Sequence, residues 1–286
     1  MWRILLMLTG CIPMAVLLVF VLADRWRRKR AGERPPQQEK LLRPAGHSLN
    51  LLLADLGDTF SFWMIGAFLA SLASVGAVSF NLSSNNPGQF GSWIVFSSCA
   101  AICTVMSWRT GRKIRLNRLG LLGEQSVAEQ LQILQVEGYR VFHDIPGDGK
   151  WNVDHAAVGP AGVFAIETKA RTKRPGKAGK RDHEAEFDGK TIRFPSGYDA
   201  EAPEQARRNA RWLAGMLSKS TGERVTVQPI VALPGWWVTL TANSDVKVLS
   251  GKQVPGFITA EPPKLSTKVI QQIAYQLEQR CRDVEF

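Results

Sequence analysis

Only four of the 286 residues are cysteine, and no two form a CxxC pair. That removes a zinc-finger spacing and a disulfide framework from consideration. His143 and His183 show no ligand spacing either, so a histidine-based metal site is not indicated. A third absence is positional. The joint Asn81-Leu82-Ser83-Ser84-Asn85-Asn86-Pro87-Gly88 holds no Lys or Arg, in a chain whose formal net charge is +11. Two apolar runs flank that joint, at about residues 60–80 and 90–108, and a further one covers residues 4–23. Each approaches the ~20 apolar residues that cross a bilayer as a helix.

Positive charge lies instead after the first and third runs. Arg25, Arg27, Arg28, Lys29 and Arg30 follow one, and Arg109, Arg112, Lys113, Arg115 and Arg118 follow the other. Basic flanks stay cytoplasmic, so the N-terminus is expected outside and everything after Trp108 in the cytosol. Contact with anionic lipid accounts for these clusters without nucleic acid. Residues 4–23 also have the place and length of a signal peptide. Their n-region holds only Arg3, and the strong positive cluster comes after the apolar run, which favours a retained anchor. The expected division is a membrane region, 1–117, with a basic cytosolic linker at 24–59, followed by a cytosolic domain, 118–286, ending in a helix. Within 41–60, Leu49, Leu51, Leu52, Leu53 and Leu56 suit a short helix on the membrane surface. The cysteines add little: Cys11, Cys99 and Cys103 fall in apolar runs and Cys281 near the C-terminus, and cytosolic placement agrees with free thiols.

The soluble part alternates helix and strand patterns. Residues 120–137 carry Leu122, Val127, Leu131 and Leu134 on one helical face, with Gly138 as the stop. Strands are expected at 139–145, 153–158, 163–166, 225–233 and 246–249, a small hairpin with an Asp-Gly turn at 187–194, and helices at 202–218 and 267–282. Residues 171–181 have no apolar period and read as a loop.

The chemistry concentrates in one hairpin. Asp154 interrupts an apolar run and Glu167 ends another, and Gly159-Pro160-Ala161-Gly162 supplies the turn between them. Side chains two apart on a strand share a face, so Glu167 and Lys169 point together and Thr168 points away. Two carboxylates and an ammonium on one sheet face would hold a divalent metal, an activated water and a phosphate. A lone Glu-x-Lys is more often a solvated charge pair; Asp154 at one hairpin's distance tips the balance toward a site. His155, beside it, reads either as a general base or as a packing residue.

Gly123-Glu124, Asp154-His155, Val163-Phe164-Ala165-Ile166-Glu167-Thr168-Lys169 and Pro203-Glu204-Gln205-Ala206 together resemble the nuclease-related domain (NERD) of the PD-(D/E)xK nuclease superfamily. The resemblance covers approximately residues 119–234. Ala170 departs from it where many relatives carry a polar residue, and the basic loop 171–181 looks longer than usual. The implied fold is α/β, a restriction-endonuclease-like core of helix, three strands, helix and strand, here preceded by three transmembrane helices. The implied site has Asp154, Glu167 and the Thr168 carbonyl on Mg²⁺ or Mn²⁺, Lys169 orienting the attacking water, Glu124 holding a metal-bound water or second ion, and Gln205 positioning the scissile phosphate or Lys169. Glu124 and Gln205 also have plain structural readings, the first as an acid near a helix N-terminus.

Nucleic acid, DNA ahead of RNA, is the expected partner. Arg171, Lys173, Arg174, Lys177, Lys180 and Arg181 would track phosphates, with Arg207, Arg208 and Arg211 extending that surface. Trp236-Trp237 would stack on bases or rest at the lipid interface. The expected protein is thus a multi-pass nuclease of a bacterial inner membrane, acting on DNA at its cytosolic face, in contact with lipid and open to homo- or hetero-oligomerisation through spans containing Ser71, Ser74, Ser97 and Ser98. Defence against foreign DNA is one role for such a tether. A catalytically inactive, membrane-tethered binding or scaffold subunit is the rival.

Overall fold

The computed structural model describes residues 40–84, 90–149, 151–173 and 182–284, with isolated positions 19, 20, 23, 26 and 27. Nearly all of the expected span at 4–23 lies outside the described residues, as do Arg174, Lys177, Lys180 and Arg181. The chain divides into two compact units, Met1–Leu41 with Val284–Phe286, and Leu42–Asp283. In the first, the five isolated positions are helical.

No proline occurs between Pro44 and Pro87, or between Pro87 and Pro146. Nothing therefore breaks either helical run, and each continues far beyond an apolar span. Helix α1 is His47–Ser84, 38 residues, and α2 is Phe90–Leu131, 42 residues. The surface helix expected at 41–60 is thus the first part of α1. The helix expected at 120–137 is mostly the last part of α2, followed by the short α3, Ile133–Val136. Among the described residues two helices, not three, are long and apolar enough to cross a membrane, within His47–Ser79 and Gly91–Val136. Phe62, Phe68, Leu72, Ile94 and Val105 face outward, exposed.

Small residues let α1 and α2 pack closely. A Cβ on Gly66 would sit 3.2 Å from Cys103 Sγ, one on Gly111 3.5 Å from Phe60 and one on Gly120 3.4 Å from Leu49. Ser74 and Ser97 hydrogen-bond between the helices at 2.8 Å. Ser71 instead donates within its own helix, to the Ala67 carbonyl at 2.7 Å.

Five strands make the main sheet: β1 Arg140–Pro146, β2 Asn152–Gly159, β3 Gly162–Thr168, β7 Val227–Leu233 and β9 Lys247–Ser250. Their spatial order is β9-β7-β3-β2-β1, with β2 antiparallel to both neighbours and β3, β7 and β9 parallel. Strands covered on both faces read as continuous apolar runs, and β3 is buried from Val163 onward. Helices α4 (Glu201–Thr221) and α6 (Thr267–Cys281) cover one face through Leu213, Leu217, Ile273 and Leu277. The end of α2, with α3 and α5 (Gln253–Ala260), covers the other through Val127, Leu131, Leu134, Val254 and Ile258. Helix α5 had no counterpart in the sequence reading.

The expected 187–194 hairpin forms as β4 (Glu184–Phe187) and β5 (Ile192–Phe194), and it belongs to a second sheet. With β6 (Gly197–Asp199) and β8 (Trp237–Leu240), its order is β6-β5-β4-β8. Phe187, Ile192, Phe194 and Trp236 make its core.

Asp144, fully buried in β1 with φ +49, joins α1 to the main sheet. Its carboxylate accepts from Arg43 Nη1 at 2.9 Å, Ser48 Oγ at 2.7 Å and Asn152 Nδ2 at 2.7 Å, and from the Ser48 backbone N–H at 3.3 Å. Aspartate tolerates the left-handed conformation better than most residues, and here it caps the start of α1 from another element. Removing Asp144 would leave Ser48 and Asn152 without their acceptor, while Arg43 keeps Asp283. Asp144→Ala should therefore lower the unfolding free energy by about 3–5 kcal/mol. Breaking the exposed Arg140–Glu278 pair should cost about 1 kcal/mol or less. Urea unfolding followed by tryptophan fluorescence measures both, and equal effects would remove Asp144 as the anchor.

Candidate functional site

The β2–β3 hairpin turns at Pro160-Ala161, with Gly159 paired to Gly162 and Gly162 at φ +134, where a side chain would be strained. The register that pairs His155 with Ile166 brings Asp154 opposite Glu167 on the same face. At that level a side chain replaces the ladder: the Thr168 N–H donates to Asp154 Oδ2 at 2.7 Å. Lys169, two beyond Glu167, takes the same side, and its backbone N–H holds the Ala232 carbonyl at 2.9 Å.

Glu124 reaches the pair from α2. A Cβ on Gly123 would collide with Ala170 and lie 3.5 Å from Thr168 Cγ2, so only glycine lets the helix approach the end of β3 this closely. The small Ala170 belongs to the same contact. One Glu124 oxygen meets the Gly46 N–H, while Oε2 is buried with no hydrogen-bond partner among the described residues. From the other layer, Asn209 of α4 donates Nδ2 to Glu167 Oε2 at 3.0 Å. Asn209 was missed in the sequence. It lies one helical turn after Gln205 and so shares its face, which is the signal that could have found it.

None of the three carboxylates is more than 7% exposed. Burial pushes Glu124 up to about 9, with the charges of Asp154 and Asp144 adding to it and the Gly46 N–H opposing. Burial raises Asp154 to about 7, opposed by the Thr168 N–H and Lys169. Glu167 is held well above the usual range, first by burial and then by Asp154, against Lys169 and, more weakly, Arg208.

Behind Asp154, His155 is fully buried, its Nε2 3.1 Å from Thr168 Oγ1 and its Nδ1 2.8 Å from His143 Nδ1. Burial lowers His143 to about 4 and His155 well below its ordinary value. One Nδ1 must then carry the shared hydrogen and the other accept it. His155 is a packed, hydrogen-bonded residue behind the site.

Gln205, Arg208 and Asn209 line one open cleft with Trp151 and Trp212. Arg207 is occupied elsewhere, on Asp245 at 2.8 Å and on Glu204, which removes it from the expected phosphate surface. Arg171 stacks 4.6 Å over Phe194 and Lys173 lies 5.8 Å from the Trp236 ring, so both rest on the second sheet's aromatics. Trp236 is 3% exposed and packs edge-on against Phe194, which excludes it as a stacking surface. Its neighbour Trp237 is exposed.

Among the described residues no three His, Cys, Asp or Glu side chains stand together at ligating distance. The carboxylate oxygens at the site, among the described residues, are those of Asp154, Glu167 and Glu124.

Unfolded carboxyls titrate near about 4, and the folded chain holds these protons to higher pH. These three carboxyls therefore bind more protons in the native than in the unfolded state up to about pH 9. The buried His143 and His155 oppose them below about pH 6.5, so net stability falls as pH rises above that. In chelator, the melting temperature should drop between about pH 6.5 and pH 8.5, and Glu124→Gln should be the more heat-stable protein at the upper end with a shallower pH slope. A melting profile of the variant parallel to wild type would show that Glu124 is not held protonated by its surroundings.

Comparison with known proteins adds a family to this geometry. No curated protein matches the chain. A solved structure, Pyrococcus furiosus SfsA in complex with Ca²⁺, is similar at 16% identity and a TM-score of 0.21, covering 57% of this chain and 54% of that one. The chain thus spans about half the length of that protein, and so low a score carries no argument. The family described as nuclease-related domain (NERD) matches residues 119–234, and it is a nuclease-related domain that this stretch, from the end of α2 to just past β7, carries.

Proposed function

We propose that the chain is a membrane-anchored, metal-dependent nuclease that hydrolyses phosphodiester bonds, DNA ahead of RNA, at the cytosolic face of a bacterial inner membrane. One observation carries the reading. Inside the nuclease-related domain, Asp154, Glu167 and Glu124 are desolvated together beside Lys169. Burying like charges is costly unless something offsets them, and the orphaned Glu124 Oε2 points to an absent partner. These donors fit a hard cation, because Mg²⁺ takes one or two carboxylates and keeps several waters.

Asp154 and Glu167 would hold Mg²⁺ or Mn²⁺, with the Thr168 carbonyl beside them. When bound, the ion supplies Lewis-acid charge at the phosphate and a water of lowered pKa. The remaining work belongs to side chains. The Thr168 N–H and Asn209 fix one oxygen each of Asp154 and Glu167, so both carboxylates are oriented before substrate arrives. Lys169 orients the attacking water and offsets negative charge growing on the phosphoryl oxygens. Gln205 and Arg208 line the approach from α4. Glu124, through its unpartnered Oε2, would hold a metal-bound water or a second ion.

The two long apolar helices support the membrane anchor, and the basic residues after Trp108 favour the cytosolic side for the domain. Anchored there, the enzyme would meet entering DNA, a defence role that unchanged phage and plasmid entry in a deletion strain would end. The absence of three clustered ligating side chains among the described residues favours a second reading, a tethered nucleic-acid-binding or scaffold subunit without turnover.

The assay should use the full chain in detergent. A fragment starting near residue 118 would discard Arg43 and Ser48, which hold Asp144. Supercoiled and linear DNA should be cut with Mg²⁺ or Mn²⁺ and not in chelator. Asp154→Ala and Lys169→Ala should each lower the rate by at least about 100-fold. DNA binding without cutting in either metal would select the scaffold reading.

A further inference from the structure

Beside the carboxylates the fold builds a second feature that neither the sequence reading nor the family accounts for. Gly147, Asp148 and Gly149 carry the chain from β1 toward Trp151, and the Gly147 N–H bonds the Trp151 carbonyl at 2.9 Å. A Cβ on Gly147 would collide with the Trp151 ring, so the indole lies directly across the glycine. It meets Trp212 of α4 edge-on, ring centroids 4.8 Å apart and planes at 78°. Trp212 is itself held. Its Nε1 donates to Asp148 Oδ2 at 2.7 Å, and the Arg280 guanidinium sits 4.9 Å over its ring. Arg280 in turn donates to Asp148 Oδ1 at 2.8 Å and to the Pro146 carbonyl at 2.6 Å. Trp151 nevertheless keeps 39% of its surface exposed. A large apolar ring left open and fixed by rigid neighbours is a recognition surface in waiting.

The cleft beside it, about 530 Å³, joins this indole pair to Gln205, Arg208 and Asn209. That volume is in the range of small-ligand clefts, ~300–1,000 Å³. Asn209, in the wall of the cleft, is also the residue bonded to Glu167, so one side chain separates the cleft from the carboxylates. The combination discriminates among ligands. An acyl chain would leave the amides and the guanidinium unpaired, and a bare sugar-phosphate strand has no use for two indoles. A nucleobase has a face to stack and an edge to pair with amide and guanidinium groups.

We propose that the Trp151–Trp212 cleft is a stacking subsite for one unpaired nucleobase next to the phosphate at the Asp154–Glu167 site. The assignment rests on the nuclease reading and adds a preference: the strand taken is single or locally unpaired, because a paired duplex keeps its bases inside the stack.

The test uses the full chain in detergent with chelator, so that no strand is cut. Fluorescence anisotropy reports the affinity for labelled oligothymidine of about 12 nucleotides, an abasic strand of the same length and a blunt duplex. Wild type should bind oligothymidine more tightly than the other two. Trp151→Ala should weaken oligothymidine about tenfold and leave the abasic strand unchanged. Trp151→Phe should keep most of the affinity, whereas Trp151→Leu, which covers Gly147 without a π face, should lose it like alanine. Equal losses on both single strands, or no loss in the alanine and leucine variants, would overturn the subsite. If the Trp151 variants bind as wild type does while wild type cuts DNA in the Mg²⁺ assay, the subsite alone is removed; if wild type neither binds any strand here nor cuts with Mg²⁺ or Mn²⁺, the nuclease reading goes with it.

Discussion

Asp154, Glu167 and Glu124 are taken out of water together, and the local structure is organised around that cost. The groups that offset it are few. They are the Thr168 and Gly46 N–H groups, the Asn209 amide, and the charges of Lys169 and Arg208. With the carboxylates themselves, these come from α2, β2, the end of β3, α4 and the turn before α1, so the cluster depends on every layer keeping its place. Its electrostatic strain is borne by apolar packing on both faces of the sheet, as is usual where a site works against stability.

The helical hairpin of α1 and α2 contributes to the carboxylate cluster directly. Its base supplies Gly46 and Glu124 to the site, and Ser48 to the neighbouring Asp144. Glu124 lies 16 residues beyond Trp108 on one unbroken helix, roughly 24 Å at 1.5 Å per residue. An apolar span and an acidic site residue thus share a single rigid element. Gly123 and Ala170 meet where that element touches the end of β3, and a larger residue at either position would push α2 away. The departure at Ala170 is thereby explained by packing.

The second sheet changes the meaning of the basic segment that leaves β3. Arg171 and Lys173 lie over Phe194 and Trp236 and do not stand free beside the carboxylates. Aromatic surface near the site comes instead from Trp151 and Trp212, far apart in sequence and joined by the Asp148–Arg280 bracket.

Local chemistry in the chain was enough for the hairpin and its carboxylates. The Gly-Pro-Ala-Gly turn sets a register, and a period of two then decides which side chains share a face. Long apolar runs likewise announced two crossing-length helices. Their true ends were not legible from hydropathy, because helix continuity follows from the lack of proline and from packing against the domain. Asn209, the Asp144 junction, the burial of Trp236 and the Trp151–Trp212 pair all join residues distant in sequence. Such contacts carry no local periodicity, so they exist only once the layers have closed and decided which polar groups must find partners inside.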